Sequence, residues 1–75
     1  MHASDIKDRL ARSGFAFTDL PGGVRVTAMG PQSPGPIGED TTVRAQKGGE
    51  TLHHSTHSSR ATAARRYVEL VEEYG

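Results

Sequence analysis

Ser58-Ser59-Arg60-Ala61-Thr62-Ala63-Ala64-Arg65-Arg66-Tyr67-Val68-Glu69-Leu70-Val71-Glu72-Glu73-Tyr74-Gly75 is the stretch around which the rest of the chain is read. Ala61, Ala64, Val68 and Val71 follow the i, i+3, i+7 rhythm of one helix face, and Tyr67, Leu70 and Tyr74 widen that stripe. Ser58 or Ser59 can accept a hydrogen bond from a first-turn amide, and Gly75 follows as a stop. No other segment carries as much periodic apolar surface, so the remaining elements are expected to pack against this helix.

The charges on the helix run against its dipole. Arg60, Arg65 and Arg66 stand in the first turns and Glu69, Glu72 and Glu73 in the last, each misplaced charge costing about 0.3–1 kcal/mol at the surface. Spacing offsets part of this, because Arg65 can reach Glu69 at i+4 and Arg66 can reach it at i+3, roughly 0.2–0.5 kcal/mol per pair. The arrangement reads as a solvated, self-compensating face. Its sharper reading is an anion site, with guanidinium groups beside free helix amides facing phosphate or a partner's carboxylates.

Working back from the helix, Thr51–His57 has strand chemistry but little apolar character, which suits an edge strand. Lys47-Gly48-Gly49-Glu50 is a hairpin turn, and Thr41–Gln46 before it points Val43 and Ala45 inward. Val24–Met29 alternates likewise, with Val24, Val26 and Ala28 inward and Arg25 and Thr27 outward. Pro21-Gly22-Gly23 joins it to Phe15–Leu20, where alternation puts Phe15 and Phe17 on one side. Residues 4–13 form a first helix with Ser4 as its cap, Ile6 and Leu10 on one face and Gly14 as its stop. The expected fold is α+β: a small two-layer sandwich in α-β-β-β-β-α order, an antiparallel sheet with helices on one face. Strand alternation alone does not fix the order of the two hairpins in the sheet.

Residues 30–40 interrupt the pattern with three of the four prolines, and a ladder strand is excluded there by the missing amide donors. Such a long connection in a small domain is a mobile bridge or a partner-binding loop. Ile37 is its only sizeable apolar side chain, and Pro31 and Pro34 touch the spacing read by polyproline-binding domains.

Composition narrows the function classes. Seventy-five residues make one small domain, residues 1–75, and Leu, Ile, Val and Phe number only 13, so a thin core helped by self-association is expected. Nine basic and nine acidic side chains cancel, which argues against a broad nucleic-acid coat and leaves a local basic site open. Without cysteine there are no disulfides or thiolate metal sites. No apolar run approaches the roughly 20 residues of a membrane span, so a cytoplasmic protein is expected.

His53, His54 and His57 invite a metal or catalytic reading. Four residues of strand span roughly 13 Å, too far for His53 and His57 to share an ion, and His54 points the other way. No metal or other cofactor is therefore expected. Catalysis would pair His54 or His57 as base with Ser55 or Ser59, or His57 with Arg60 in a small nuclease. It lacks a visible orienting group or pocket.

Ser59-Arg60 at a helix start resembles the double-stranded RNA-binding domain, whose helix start is lysine-rich and which has three strands. Gly14-Phe15 after an opening helix is similar to HicA-type toxins, but Gly22-Gly23-Val24 stands where those carry a histidine. Neither family is assigned.

The sequence reading is a non-enzymatic interaction protein, an adaptor or inhibitor such as phages and mobile elements encode, the anti-CRISPR kind being one version. Its expected contact surface is His53, Ser55, His57, Arg60, Arg65 and Arg66, with Ile37 offered from the loop. The partner would be a protein or nucleoprotein, and an exposed edge strand could also pair two copies into a homodimer. The alternative is a nucleic-acid-binding module placing the same arginines on phosphates, with a His-dependent nuclease a distant third.

Overall fold

The computed structural model describes residues 2–30 and 40–75. Along them run α1 (Ala3–Ser13), β1 (Phe15–Asp19), β2 (Val24–Met29), β3 (Thr41–Lys47), β4 (Glu50–His57) and α2 (Arg60–Tyr74). The strands form one antiparallel sheet in the order β1-β2-β3-β4, which settles the hairpin arrangement as a simple meander. Both helices pack on one face, α1 over β1 and α2 over β2, β3 and β4, giving the expected α+β two-layer sandwich. None of the helices described is long and apolar enough to cross a membrane.

Turn chemistry explains the meander. Gly23 N–H donates to the Leu20 carbonyl at 3.1 Å, closing the first hairpin around Pro21-Gly22. In the second, Gly48 and Gly49 take φ values of 55° and 87°, the pair of positive angles that a two-residue type I′ hairpin requires.

Because residues directly opposite on neighbouring strands share a face, the register defines the inner rows. Ala16, Ala28, Val43 and Ser55 form one, and Thr18, Val26, Ala45 and His53 the next. Ile6 and Leu10 from α1 and Ala63, Ala64, Tyr67 and Leu70 from α2 close over them. Each fully buried Ile, Leu or Val contributes about 1.5–3 kcal/mol of burial free energy. Tyr67 is the largest of the buried side chains. It reaches across the layer so that its hydroxyl pairs with Thr18 on β1. Burial pushes its pKa up, and the Thr18 bond partly opposes that shift.

Three local expectations change. Ser4 is not the cap of α1. The helix starts one residue earlier with His2 at the cap position and no side-chain cap bond, which lets Ala3 join Ile6 and Leu10 against the core. On α2, Ala61 is exposed, whereas Ala63 is buried. The helix is rolled so that Tyr67 and Leu70 form the centre of the buried stripe, with Val68 and Val71 on its flank, since the larger apolar groups gain more from the deepest positions. Of the two charge pairs, only Arg66–Glu69 forms, at 3.3 Å. Among the described residues Arg65 makes no ion pair.

The stops and the second cap follow the sequence. Gly14 ends α1 at φ 70°, donating to the Leu10 carbonyl at 2.8 Å, and its own carbonyl accepts from Gly30 N–H at 2.7 Å. Ser59 caps α2, its hydroxyl oxygen accepting from Thr62 N–H at 3.2 Å.

Candidate functional site

Strand β4 is an edge strand, as its polar composition implies. Its helix-side positions hold three of the expected site residues. His53, Ser55 and His57 lie opposite Ala45, Val43 and Thr41, so they extend the inner rows past the part of the sheet that α2 covers fully. A bulge at Ala45/Gln46 leaves Leu52 as the extra residue, and its side chain packs against the core rim.

The three side chains form a ladder. Ser55 Oγ lies 2.9 Å from His53 Nε2 and 2.8 Å from His57 Nε2, and Arg66 Nε approaches His53 Nε2 at 3.5 Å. Arginine has only donors, so His53 Nε2 is the unprotonated nitrogen. The Ser55 hydroxyl then donates to His53 and accepts from His57 Nε2–H, a tautomer assignment inferred from the network. Burial and then the neighbouring Arg66 cation push the His53 pKa down, in keeping with a neutral ring.

The strand spacing that argued against a metal ion shared by His53 and His57 describes their backbones, and the rings approach each other more closely. Their rings lean onto one shared hydroxyl. Among the described residues, no group of three or more His, Cys, Asp or Glu side chains is placed to hold a metal ion. A serine donating to an imidazole is half of a nucleophile–base pair. Among the described residues, the only side chain bonded to His53 besides Ser55 is the Arg66 cation, where catalysis would want an orienting acid.

The remaining expected residues scatter. Arg66 is half-buried against the ladder and shared with Glu69, while Arg65 points to solvent. Arg60 is half-buried at the start of α2. His54 sits on the opposite face of the sheet, opposite Arg44. Ile37 and the Pro31/Pro34 spacing lie outside the described residues. The three arginines thus differ in exposure, and Arg66 is engaged by His53 and Glu69.

The other face of the sheet is covered by no described element. Its rows are Phe15–Met29–Thr42–Thr56, Phe17–Thr27–Arg44–His54 and Asp19–Arg25–Gln46–Thr51. Phe15, Phe17 and Met29 are 43 %, 48 % and 41 % exposed, the only large hydrophobic side chains so exposed among the described residues. The two rings stand 5.9 Å apart between centroids and are tilted by 46°. Arg25 lies over the Phe17 ring at 5.2 Å, held in place by Asp19 through bonds of 2.6 and 3.2 Å. That contact lowers the Asp19 pKa, chiefly through the Arg25 hydrogen bond. Beside the rings is a depression of about 70 Å³ lined by Thr27, Met29, Thr42, Arg44 and Gln46.

The chain matches no family model, no curated protein and no solved structure.

Its chemistry must therefore be read from the two faces alone. In the ladder the two imidazole Nε2 atoms and the Ser55 hydroxyl are already paired with one another and with Arg66. The open face leaves π surfaces, a thioether and the Arg44 guanidinium directed at solvent. Alternation within β1 alone puts Phe15 and Phe17 on one side and does not say which side that is. The signal was available: Ala16 between them matches the Ala and Val inner positions of β2 and β3, so both rings had to face outward.

Proposed function

We propose that the protein is a small non-enzymatic interaction protein, an adaptor or inhibitor, that docks on a larger macromolecule through the open face of its sheet. One observation carries the reading: both phenylalanines of the chain lie on that face, while Ala16, Ala28, Ala45, Ala63 and Ala64 fill the core. Exposed antiparallel faces are ordinarily polar, and clustered apolar groups rimmed by polar ones mark interaction sites. Thr27, Thr42, Arg44 and Gln46 on the central strands border the cluster on one side with polar groups.

Relative to the sequence reading, the docking surface moves from the β4–α2 edge to the sheet face. Capture from native-host lysate by the immobilised protein tests it, comparing wild type with a Phe15→Ser/Phe17→Ser pair and an Arg65→Glu/Arg66→Glu pair. Capture should be lost with the first pair and kept with the second. Loss with the arginine pair alone would return docking to the edge, and equal capture by all three proteins would refute the proposal.

A further inference from the structure

We infer that the occupant of the open face is single-stranded nucleic acid, bound by base stacking on Phe15 and Phe17 with Arg25 and Arg44 beside them. The inference rests on the docking reading above and names its ligand. Unpaired bases present flat π faces that stack on aromatic rings and on guanidinium planes without regard to sequence. Phe15 and Phe17 present two half-exposed rings side by side, tilted rather than stacked on one another. Arg25 is already fixed over Phe17, so its planar guanidinium extends the stacking surface.

Charge favours the same ligand. Among the paired strand positions of the face the only acid is Asp19, and Arg25 engages it in two hydrogen bonds. Arg44 stands at the centre of the sheet and makes no ion pair among the described residues. Over these paired positions a polyanion would meet an uncompensated cation and no free carboxylate. The depression beside Arg44 offers the Gln46 amide and threonine hydroxyls to base edges. Four strands set about 4.8 Å apart span roughly 14 Å from Phe17 to His54, a track for a short length of strand.

A second copy fits less well. The exposed parts of Phe15, Phe17 and Met29 amount to something on the order of 250 Å², against about 800 Å² per partner in a stable interface. The centre of the face is polar, whereas the cores of homodimer interfaces are apolar.

Fluorescence anisotropy with purified protein and labelled oligothymidylate and oligouridylate 12-mers tests the inference, with a 12-base-pair mixed-sequence DNA duplex as control. Single strands should bind and the duplex should not, because its base faces are already stacked. Affinity should depend only mildly on salt, log K falling by about 0.7 for each phosphate contacted, hence roughly 0.7–1.4 per tenfold increase. A Phe15→Leu/Phe17→Leu pair keeps apolar bulk but removes the rings, and should weaken binding roughly 5- to 150-fold for each base that loses its stack. Arg44→Glu should also weaken it, whereas Arg66→Glu, on the other face, should not.

No binding of single strands, equal binding of the duplex, or full binding by the leucine pair would each overturn the inference. So would a dimer in sedimentation that the Phe15→Ser/Phe17→Ser pair dissolves, since the second copy would then be the occupant. If lysate capture still depends on the two rings while no oligonucleotide binds, the docking reading stands and the nucleic-acid inference alone falls.

Discussion

The bond between Tyr67 and Thr18 ties α2 to the far edge of the sheet, and its two halves should not cost the same to remove. Tyr67 is fully buried and Thr18 only half-buried. Tyr67→Phe deletes the phenolic hydroxyl and leaves the Thr18 hydroxyl, which can turn toward water, so the loss is that of one net hydrogen bond, about 0.5–1.5 kcal/mol. Thr18→Val keeps shape and strand propensity but strands the Tyr67 hydroxyl in the core, about 1–3 kcal/mol. With about 4–8 °C of Tm per kcal/mol in a domain of this size, the expected losses are roughly 2–12 °C and 4–24 °C. The double variant should lose less than the sum, because each single change already breaks the same bond. Urea and thermal unfolding of the four proteins measure the cycle. A pH series adds a second reading: the folded Tyr67 pKa lies above its ordinary 10.0, so its contribution is present below pH 10 and is lost as pH rises through the folded value. Tyr67→Phe should remove that alkaline loss. Additive single effects, or a Tyr67→Phe variant less stable than Thr18→Val, would refute the argument.

Three further outcomes are expected. Burial and Arg66 hold His53 below its ordinary 6.5, so its contribution to stability is present above pH 6.5 and lost as pH falls through the lowered folded value; urea midpoints between pH 5 and 7 should show that slope, and His53→Gln should flatten it. Ser59→Ala removes the acceptor for Thr62 N–H and should cost about 1 kcal/mol in the same unfolding assay, with Ser58→Ala as a near-silent control. Gly14→Ala must place a side chain at φ 70° and should cost about 1–2 kcal/mol, whereas Gly22→Ala meets no neighbouring atom within 4 Å and should be neutral or stabilise by up to about 1 kcal/mol. Equal melting shifts for the two glycine variants would show that the left-handed geometry at Gly14 is not what demands glycine.

The fold was legible because period, turn chemistry and breakers agree along most of the chain. Val24, Val26 and Ala28 against Val43 and Ala45 determine which face is inner, and Gly22-Gly23 and Gly48-Gly49 mark where strands reverse. The roll of α2 was harder to read, because Ala61, Ala63 and Ala64 weigh alike in a periodicity argument and only packing decides among them. The cap of α1 went to Ala3 contacts over a serine hydroxyl for a similar reason. The ladder was half legible: the strand, its edge position and the alternation of His53, Ser55 and His57 follow from sequence. That the rings lean onto one hydroxyl depends on side-chain rotamers, which spacing does not specify. The open face was missed because function was sought among polar residues, whereas what marks it is apolar residues in positions where water is the neighbour.

The placement of those apolar residues has one alternative explanation in packing alone. Alanine at positions 16, 28 and 45 lets the helices approach the sheet closely, and Tyr67 then fills what space remains, so a phenylalanine has no room inside. Crowding of this kind accounts for Ala16. It does not account for Phe15 and Phe17, because the inner face constrains outward positions only by leaving them outside. On the other three strands four of the nine outward positions are threonine, Thr27, Thr42, Thr51 and Thr56, a residue with good strand propensity and no wish to leave water. Threonine at 15 and 17 would serve the fold as well, with less apolar surface left in solvent. What the fold leaves unexplained is therefore confined to Phe15, Phe17 and the neighbouring Met29, and a bound partner would remove that surface from water.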